Sequence, residues 1–494
     1  MFKAAELGHE VSKKEFARAE EELRGKLLEV QRRVRVADFQ TIVIVSGVEA
    51  AGKSEVVNRF HEWLDARGLS TSAFWDESDE ERERPSAWRF WRRMPPRGSI
   101  GIFFGSWYTQ PIIDRVFGRL DEPGFDAALE GIASLERMLT DDGAVIVKLW
   151  FHLSKKAQRK RLEKLAGKER KLTPWEKKFS RRYETFRETS EQALRRTDAG
   201  HSPWHVIDAG DQHHRDLMAG GILLEALEQR LAVVTKRGGR KARSAGAHSG
   251  ARKTVLDEVD LTASLGDRKY GRRLAAEQAR LDGLVWAARR RKLSTVAIFE
   301  GWDAAGKGGA IRRVTAGLDA RLFRVIPVAA PTDEERAQHY LWRFWRHVPR
   351  AGYLTIYDRS WYGRVLVERV EGFAAPEDWG RAYQEINDFE RQLSEHGVAL
   401  AKFWLHISIE EQLRRFEERQ VIAHKQHKIT AEDWRNREKW TAYEEAVGEM
   451  VARCSTAHAP WTLVPANDKR FSRVKIVETI ANSIEQSLAA VSRD

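Results

Sequence analysis

Four glycines and a lysine at positions 301–309 have the types and spacing that bind phosphate. Gly301 is followed after four residues by Gly306 and Lys307, which is the spacing of a P-loop, and Gly308 stands where Ser or Thr is usual. Backbone N–H groups can surround phosphate oxygens only where no Cβ obstructs them, and a helix start adds positive partial charge. An ordinary glycine-rich turn is the alternative. The predicted phosphate-binding residues are Gly301, Ala304, Ala305, Gly306, Gly308 and Gly309, and Lys307 supplies a full positive charge.

Two acids near this loop could hold a divalent cation. Asp358 ends the apolar segment YLTIYD, and Asp303 lies inside the loop itself. Mg²⁺ prefers oxygen ligands and often takes only one or two carboxylates together with phosphate oxygens. Asp303 and Asp358 are therefore the predicted ligands of Mg²⁺, with Asp303 compensating for the missing hydroxyl at Gly308. Asp303 could instead position an attacking group, and Asp358 could be an ordinary surface acid.

Short apolar strands and longer amphipathic helices must position these groups. Strands are predicted near 295–300, 323–328, 353–357, 399–405 and 461–464. Helices are predicted near 307–318, 333–347, 378–396, 409–420, 431–453 and 468–490. This alternation predicts an α/β fold with a parallel sheet covered on both faces and a site at the carboxyl edge of the strands. The tryptophans of WRFWR at 342–346 are predicted to be core residues rather than base-stacking ones.

The whole unit occurs twice. GVEAAGKS at 47–54 recurs 254 positions later, as do WRFWR, SWY and the KLWFHLS strand, and from residue 202 onward the offset is 257. Two homologous domains are therefore predicted, 1–235 and 254–494. Residues 236–253 between them are rich in Gly, Ser and basic residues and predict a flexible linker, with a basic arm for a polyanion as the alternative.

The two copies differ where chemistry is predicted. At the offset of 254, the replacements in the first copy are Glu49 for Asp303, Phe104 for Asp358, Gly105 for Arg359 and Gln110 for Arg364. An apolar ring cannot hold a cation. The first domain is therefore predicted to be inactive or impaired, with a role in structure, in assembly or as a docking surface for a long anion.

A cation-rich segment follows the KFWLHIS strand at 402–408. In P-loop phosphotransferases a helical excursion of this kind commonly closes over the phosphates, excludes water and neutralises charge. Acids are interleaved here, so part of the segment is a solvated helix face. The predicted lid cations are Arg415, Arg419, Lys425 and Lys428.

The net charge, the cysteine count and the lack of long apolar runs indicate which kinds of partner to expect. The chain has 494 residues and a formal charge of +12, which indicates a polyanionic partner such as nucleic acid, a membrane surface or polyphosphate. Its single cysteine, Cys454, excludes an intramolecular disulfide and fits a reducing cytoplasm. The sequence has no apolar run that approaches membrane-spanning length, which predicts no membrane partner.

With these residues laid out, the chain resembles the type-two polyphosphate kinase family, in its two-domain branch of polyphosphate:AMP phosphotransferases. The segments that carry the resemblance are EGWDAAGKGGAIRRV (300–314), YDRSWYGR (357–364), KFWLHIS (402–408), EEQLRRFEER (410–419) and HAPWTLVPANDKRFSR (458–473). They cover nearly the whole second unit, with a weaker echo in the first. One departure is His427, where the family's pattern has an aromatic residue, usually Trp.

The resemblance implies two tandem P-loop domains of the thymidylate-kinase-like fold, each with a helical lid. It also implies a Mg²⁺-dependent reaction between inorganic polyphosphate and AMP that yields ADP. The matching functional positions are Asp303, Lys307, Asp358 and Arg359, with Arg364 added among the phosphate-binding residues. An ATP-dependent nucleoside monophosphate kinase is the first alternative, and a P-loop nucleic-acid-binding ATPase is the second. No nucleic-acid module is recognisable, which predicts no nucleic-acid partner, and a homo-oligomer stays open.

Overall fold

A computed structural model describes residues 1–168, 171, 174–237, 254–422 and 431–491. Most of the predicted linker, residues 238–253, lies outside the described residues, as do Lys425, His427 and Lys428 of the predicted lid. Within the described ranges, no helix is both long and apolar enough to cross a bilayer.

Each half of the chain contributes five strands. In the first half they are β1 (Thr41–Gly47), β2 (Leu69–Ala73), β3 (Ile100–Phe104), β4 (Val145–His152) and β5 (Trp204–Asp208). In the second half they are β6 (Thr295–Gly301), β7 (Phe323–Pro327), β8 (Leu354–Asp358), β9 (Ala399–His406) and β10 (Trp461–Pro465). All five predicted strands of the second half are therefore confirmed to within two residues.

Helices separate the strands in both halves. The first half has α1 (Lys13–Val34), α2 (Lys53–Trp63), α3 (Asp79–Arg82), α4 (Trp88–Trp91), α5 (Thr109–Val116), α6 (Glu122–Asp141), α7 (Lys155–Lys168), α8 (Pro174–Arg181), α9 (Tyr183–Thr197) and α10 (Gln212–Arg237). The second half has α11 (Asp267–Arg290), α12 (Lys307–Thr315), α13 (Asp333–Arg336), α14 (Trp342–Trp345), α15 (Val367–Val370), α16 (Pro376–Glu395), α17 (Ile409–Val421), α18 (Ala431–Glu438), α19 (Trp440–Cys454) and α20 (Lys469–Val491).

The two sheets have the same parallel topology. Their strand orders are β2-β3-β1-β4-β5 and β7-β8-β6-β9-β10, so the strand before each glycine loop is central. In β6 the side chains from Val296 to Phe299 are almost completely buried, because helices cover both faces of a parallel sheet. The prediction of an α/β fold with two tandem parallel sheets is confirmed.

Contacts between Cα atoms divide the chain into two compact units. The first comprises Met1–Glu77, Arg89–Lys241 and Asp333–His339, and the second comprises Ser78–Trp88, Ala242–Thr332 and Tyr340–Asp494. The domain boundaries at residues 235 and 254 stay a prediction.

Several helix predictions were wrong in length or missing. The helix predicted over 333–347 is two short helices, α13 and α14, and the one predicted over 431–453 is interrupted at Lys439. Trp342, Phe344 and Trp345 are all buried, as predicted for core residues, although α14 has only four residues. The long helix α11 was not predicted at all.

Candidate active site

The loop between β6 and α12 has the backbone conformation that its glycines allow. Gly301, Ala304 and Gly306 have φ values of +148°, +64° and +110°. A Cβ on Gly301 would lie 2.6 Å from the carbonyl oxygen of Leu405 on the neighbouring strand, so only glycine fits there. Ala304 is a non-glycine residue in the left-handed region, a strain that proteins concentrate at functional sites.

Lys307 is held inside this loop. Its Nζ donates hydrogen bonds to the carbonyl oxygens of Gly301 at 2.6 Å and Trp302 at 3.2 Å. Burial lowers the pKa of Lys307, opposed by the nearby carboxylate of Asp303. The predicted lysine therefore lies at the start of α12, with its ammonium group held against the carbonyl oxygens of the loop.

The two predicted metal ligands lie at the same edge of the sheet. Asp358 is the last residue of β8 and pairs with Phe299 of β6. Phe299 immediately precedes Glu300 and the glycine loop. A Cβ placed on Gly308 would be 4.0 Å from Oδ2 of Asp358, so this carboxylate reaches the first turn of α12. Asp303 lies in the loop, and its carboxylate influences the same lysine as Asp358 does. This donor set fits a hard cation that completes its shell with phosphate oxygens.

Arg359 connects the strand-end acid to the loop acid. Its backbone N–H donates to the carbonyl oxygen of Phe299 at 3.0 Å, and its Nη2 lies 3.4 Å from Oδ1 of Asp303. The residue has a φ of +66°, and the corresponding Gly105 of the first half has a φ of +79°. The second half therefore keeps an arginine in a backbone conformation that favours glycine, which costs about 1–2 kcal/mol.

Glu300 is a site residue that the sequence analysis missed. It is buried, and its Oε1 accepts a hydrogen bond of 2.8 Å from Oγ of Ser360, the residue after Arg359. Burial raises the pKa of Glu300, while the charges of Lys307 and Arg359 oppose that rise. The corresponding residue of the first half is Ser46. That replacement was the available signal, because an acid inside an apolar strand needs partners.

Asn436 and Gln412 also escaped the sequence analysis. Nδ2 of Asn436 donates to Oδ2 of Asp303 at 2.9 Å, and Nε2 of Gln412 donates to the backbone oxygen of the same aspartate at 3.2 Å. Gln412 has an equivalent in the first half, Gln158, which donates to the loop carbonyl of Glu49 at 3.3 Å. The helix α18 begins 257 positions after α8, and at this offset Asn436 corresponds to Phe179, whose side chain has no amide group. The contact to the acid is therefore special to the second half.

Arg415 is hydrogen-bonded to the backbone of the loop. This predicted lid cation is buried, and its guanidinium donates to the carbonyl oxygens of Ala304, Ala305, Ala466 and Asn467 at 2.7–3.0 Å. In the first half Arg161 similarly donates to the carbonyl oxygens of Ala50 and Ala209. Its presence in both halves indicates a structural contribution to the shape of the loop.

Two other predicted cations also lie near neighbouring groups. Arg419 is half-buried on α17. Arg364 is ion-paired with Glu368, with 2.8 Å between Nη1 and Oε2, and its guanidinium lies over the ring of Tyr340.

Aromatic stacking joins the loop to the helices that follow β9. The rings of Trp302 and Trp440 are stacked with their centroids 3.7 Å apart. Nε1 of Trp302 donates to Nδ1 of His406 at 3.0 Å, and burial lowers the pKa of that histidine to about 4. Because the hydrogen bond requires an unprotonated Nδ1, the neutral imidazole is the form that fits.

Several of these groups line one cavity. Its walls combine the glycine loop, the strand-end arginine, the helix after β9 and several apolar side chains. The lining residues are Glu300, Gly301, Trp302, Asp303, Lys307, Arg359, Gly363, Leu366, Val367, Trp404, Gln412, Asn436 and Tyr443. A larger hollow between α11 and α20 has no residue of the glycine loop in its lining, so the chemistry is assigned to the first cavity.

The first half has the same loop without this set of groups. Gly47, Ala50 and Gly52 repeat the positive φ values, and Lys53 donates to its own loop carbonyls in the same way as Lys307. However, a Cβ on Gly52 would lie 1.6 Å from Nη1 of the buried Arg215, whereas the space beside Gly306 contains no atom within 4 Å. A guanidinium therefore fills the space beside the first loop that is open beside the second.

Comparison with known proteins agrees with the tandem arrangement. The family model described as "Polyphosphate kinase 2" matches residues 10–234 and 264–491. The chain is 51% identical over 499 residues to a polyphosphate:AMP phosphotransferase of Pseudomonas aeruginosa, covering 100% of both chains. It is 35% identical over 450 residues to the polyphosphate:AMP phosphotransferase of Acinetobacter johnsonii, covering 90% of each. A crystal structure of a putative polyphosphate kinase 2 from Pseudomonas aeruginosa superimposes with a TM-score of 0.89 at 50% identity, covering 99% of this chain and 100% of that one.

Proposed function

The chain belongs to the polyphosphate kinase 2 family, and from this premise we propose that it transfers the terminal phosphate of inorganic polyphosphate to AMP. The products are ADP and a polyphosphate chain shortened by one residue. The observation that carries the proposal is the cavity of the second half, which the glycine loop, Asp303 and Lys307 line, with Asp358 close enough to act on the same lysine. The chain matches the phosphotransferase of Pseudomonas aeruginosa along its whole length.

The reaction is an in-line displacement. An oxygen of the AMP phosphate forms a bond to the terminal phosphorus of the polymer as the bond from that phosphorus to its bridging oxygen breaks. The electron pair of the broken bond stays on the departing chain. Since little covalent chemistry is required of the protein, positioning and electrostatic stabilisation provide the catalysis.

The side chains of the second half supply that stabilisation. Lys307 and the loop N–H groups hold the phosphates beside the bond that is exchanged. Arg359, 3.4 Å from Asp303 and half-exposed toward the cavity, faces the charge that spreads over the transferred group. Asp303 and Asp358 would hold Mg²⁺, which supplies charge neutralisation to the phosphate oxygens when bound. Asn436 orients the Asp303 carboxylate.

Catalysis is assigned to the second half alone. Phe104 and Gly105 in the first half lack the donor atoms of Asp358 and Arg359, and the buried Arg215 fills space beside the first loop. We place the reaction in the cytoplasm, which agrees with the single, buried cysteine. Nucleic acid is not assigned as a partner, and a homo-oligomer is compatible with the activity.

The test is a comparison of phosphate donors. Purified protein receives AMP with either inorganic polyphosphate or ATP as the sole donor, and ADP is measured, with ADP and GMP as additional acceptors and the Lys307→Ala variant as the inactive control. The proposal expects ADP to form from AMP and polyphosphate in the presence of Mg²⁺. Formation of ADP with ATP alone would instead identify an ATP-dependent nucleoside monophosphate kinase. Hydrolysis of ATP stimulated by DNA or RNA, without phosphate transfer, would identify a nucleic-acid-binding ATPase.

A further inference from the structure

One face of α7 in the first half carries a stripe of exposed lysines. Lys156, Lys160 and Lys164 are four residues apart and all three are exposed. At a helical rise of 1.5 Å per residue, successive members lie about 6 Å apart along the axis. Within the described part of the chain, none of the three has an ion-pair or hydrogen-bond partner. Like charges at this spacing destabilise an isolated helix, so an anion on this face would be stabilising.

The opposite face of α7 is fixed against the first glycine loop. Gln158 and Arg161 donate to the loop carbonyls of Glu49 and Ala50, and Leu162 is buried. These contacts set the rotation of the helix about its axis. The lysine stripe therefore faces solvent because of packing, and an incoming polyanion meets it without any rearrangement of the helix.

The equivalent helix of the second half has a different surface. At the offset of 254, Lys156 corresponds to Glu410 and Lys164 to Glu418. Lys160 corresponds to Arg414, whose guanidinium is paired with Glu411 at 2.7 Å and Glu418 at 3.7 Å. The same face of the same helix is thus neutralised by acids in the half that holds the candidate active site.

The two halves differ in charge over the whole segment that follows β4 in the first half and β9 in the second. Residues 155–182 contain 13 Lys and Arg but 3 Asp and Glu, whereas residues 409–439 contain 8 and 7. Some of these cations have structural partners, such as Arg161 at the loop carbonyls and Lys155 and Arg159 in ion pairs. The three lysines of the stripe have no such partner among the described residues, and they are available for holding an anion that is long enough to need a second site.

We propose that the lysine stripe of Lys156, Lys160 and Lys164 is a docking surface for long inorganic polyphosphate, which rests on the proposed donor substrate. The sequence of α7, KKAQRKRLEKLAGK, has no aromatic residue on which a base could stack, which disfavours single-stranded nucleic acid. Leu162 is buried on the inward side, and Leu165 is the one large apolar residue that is exposed among the described side chains of α7, so they form no continuous apolar face for a lipid surface. A row of cations along a helix fits a polymer with a charge on every unit.

Docking of this kind raises the effective concentration of the donor. A polymer held by one part of a chain is available to another part of the same chain as an intramolecular partner, and avidity grows without new contacts at the reaction centre. Tetrapolyphosphate has only four phosphate units to share between two sites, so we expect it to gain no affinity from the stripe while it is bound at the active site. The structure thus predicts that affinity increases with polymer length and that this increase depends on α7.

The experiment installs the residues of the second half on the stripe. Lys156→Glu combined with Lys164→Glu reproduces the acids at 410 and 418, and Lys14→Glu combined with Arg18→Glu on α1 is a control with the same change in net charge. The Michaelis constants for tetrapolyphosphate and for polyphosphate of several hundred units are measured for each protein. Binding of the long polymer is also measured against salt concentration.

The stripe variant is expected to raise the KM for the long polymer about tenfold, with kcat and the KM for tetrapolyphosphate unchanged. The slope of log affinity against log salt should fall by about one per lysine lost. A second variant, Lys156→Ala with Lys160→Ala and Lys164→Ala, keeps good helix formers and should show the same selective effect if the glutamates disturb folding.

An unchanged KM for the long polymer in both stripe variants would overturn the proposal, as would an equal loss in the α1 control. Loss of single-stranded RNA binding without loss of polyphosphate binding would assign the surface to nucleic acid instead. If the unaltered protein used polyphosphate of no length, the proposed function itself would fail. If the unaltered protein used polyphosphate of every length with equal affinity, the docking proposal would fail and the proposed function would stand.

Discussion

The buried carboxyl of Glu300 offers a direct test of how the second half holds Arg359. Replacing Glu300 by Ser installs the residue of the first half at this position, Ser46. The change removes the acceptor of the 2.8 Å hydrogen bond from Ser360, a buried hydroxyl. An unsatisfied buried donor costs about 1–3 kcal/mol, which is comparable with the strain of a non-glycine residue at a φ of +66°. Without the hydrogen bond, the backbone of Arg359 is expected to relax out of the left-handed region.

A misplaced Arg359 withdraws stabilisation from the transition state. One preorganised electrostatic contact is commonly worth about 3 kcal/mol, or roughly 100-fold in rate. A displaced Arg359 loses part of that contact, so Glu300→Ser should lower kcat about 10- to 100-fold and leave the KM for AMP within about twofold. Glu300→Gln retains a carbonyl oxygen that can accept from Ser360, and it should retain most of the activity.

The assay is a double-mutant cycle. The variants Glu300→Ser, Arg359→Ala and their combination are compared for kcat in polyphosphate-dependent formation of ADP. If Glu300 acts by positioning the arginine, the serine change should cost less than about threefold once Arg359 is already absent. Fully additive losses would refute the reasoning and would point to Lys307, the other charged neighbour of the carboxyl.

Three further predictions concern the loop, the acid and the buried histidine. Lys307→Ala should lower kcat by about 100-fold, whereas the matched Lys53→Ala should change it by less than about twofold, and a larger loss in the latter would reverse the assignment of catalysis to the second half. Asn436→Ala removes the hydrogen bond that orients the Asp303 carboxylate. It should raise the Mg²⁺ concentration that gives half the maximal rate about tenfold, with kcat at saturating Mg²⁺ largely retained. An unchanged Mg²⁺ titration would contradict this prediction. Burial lowers the pKa of His406 to about 4, below the value of about 6.5 in the unfolded chain. As pH falls from 6.5 toward 4, the unfolded chain takes up a proton at this residue and the folded protein does not. The free energy of unfolding should therefore decrease by about 3 kcal/mol over this interval and be unaffected by His406 above pH 6.5. Chemical denaturation at several pH values should show this loss, and His406→Asn should be less sensitive to pH across that interval.

The local pattern of residues was sufficient for the fold class and for the tandem organisation. Parallel strands buried on both faces need continuous apolar segments, so β6 and β9 could be recognised from the sequence alone. A phosphate-binding loop needs glycines at set positions, and the structure gives Gly301 and Gly306 of the predicted loop positive φ values. The repeat at 254 residues likewise needed only comparison of the chain with itself.

The lengths of the helices were predicted less accurately than the fold class. The periodic pattern of apolar residues predicts one buried helix face, and tertiary packing can end a helix inside such a pattern. The tryptophans of α14 are core residues as predicted, yet the helix around them has only four residues. The helix predicted over 431–453 is interrupted at Lys439, where Trp440 starts α19 and stacks on Trp302 of the loop.

The identity of the groups around the reaction centre was determined partly by sequence and partly by tertiary structure. The types and spacing of Asp303, Lys307 and Asp358 predict a phosphate site, because phosphate transfer requires a cation and hard oxygen ligands near glycines. Which distant side chains complete that site depends on long-range contacts. Asn436 reaches Asp303 across 133 positions of the chain, and Arg415 is directed into loop carbonyls across 111. Charge alone cannot distinguish an arginine that braces a loop from one that faces a phosphate, because only the folded chain decides which acceptors surround it.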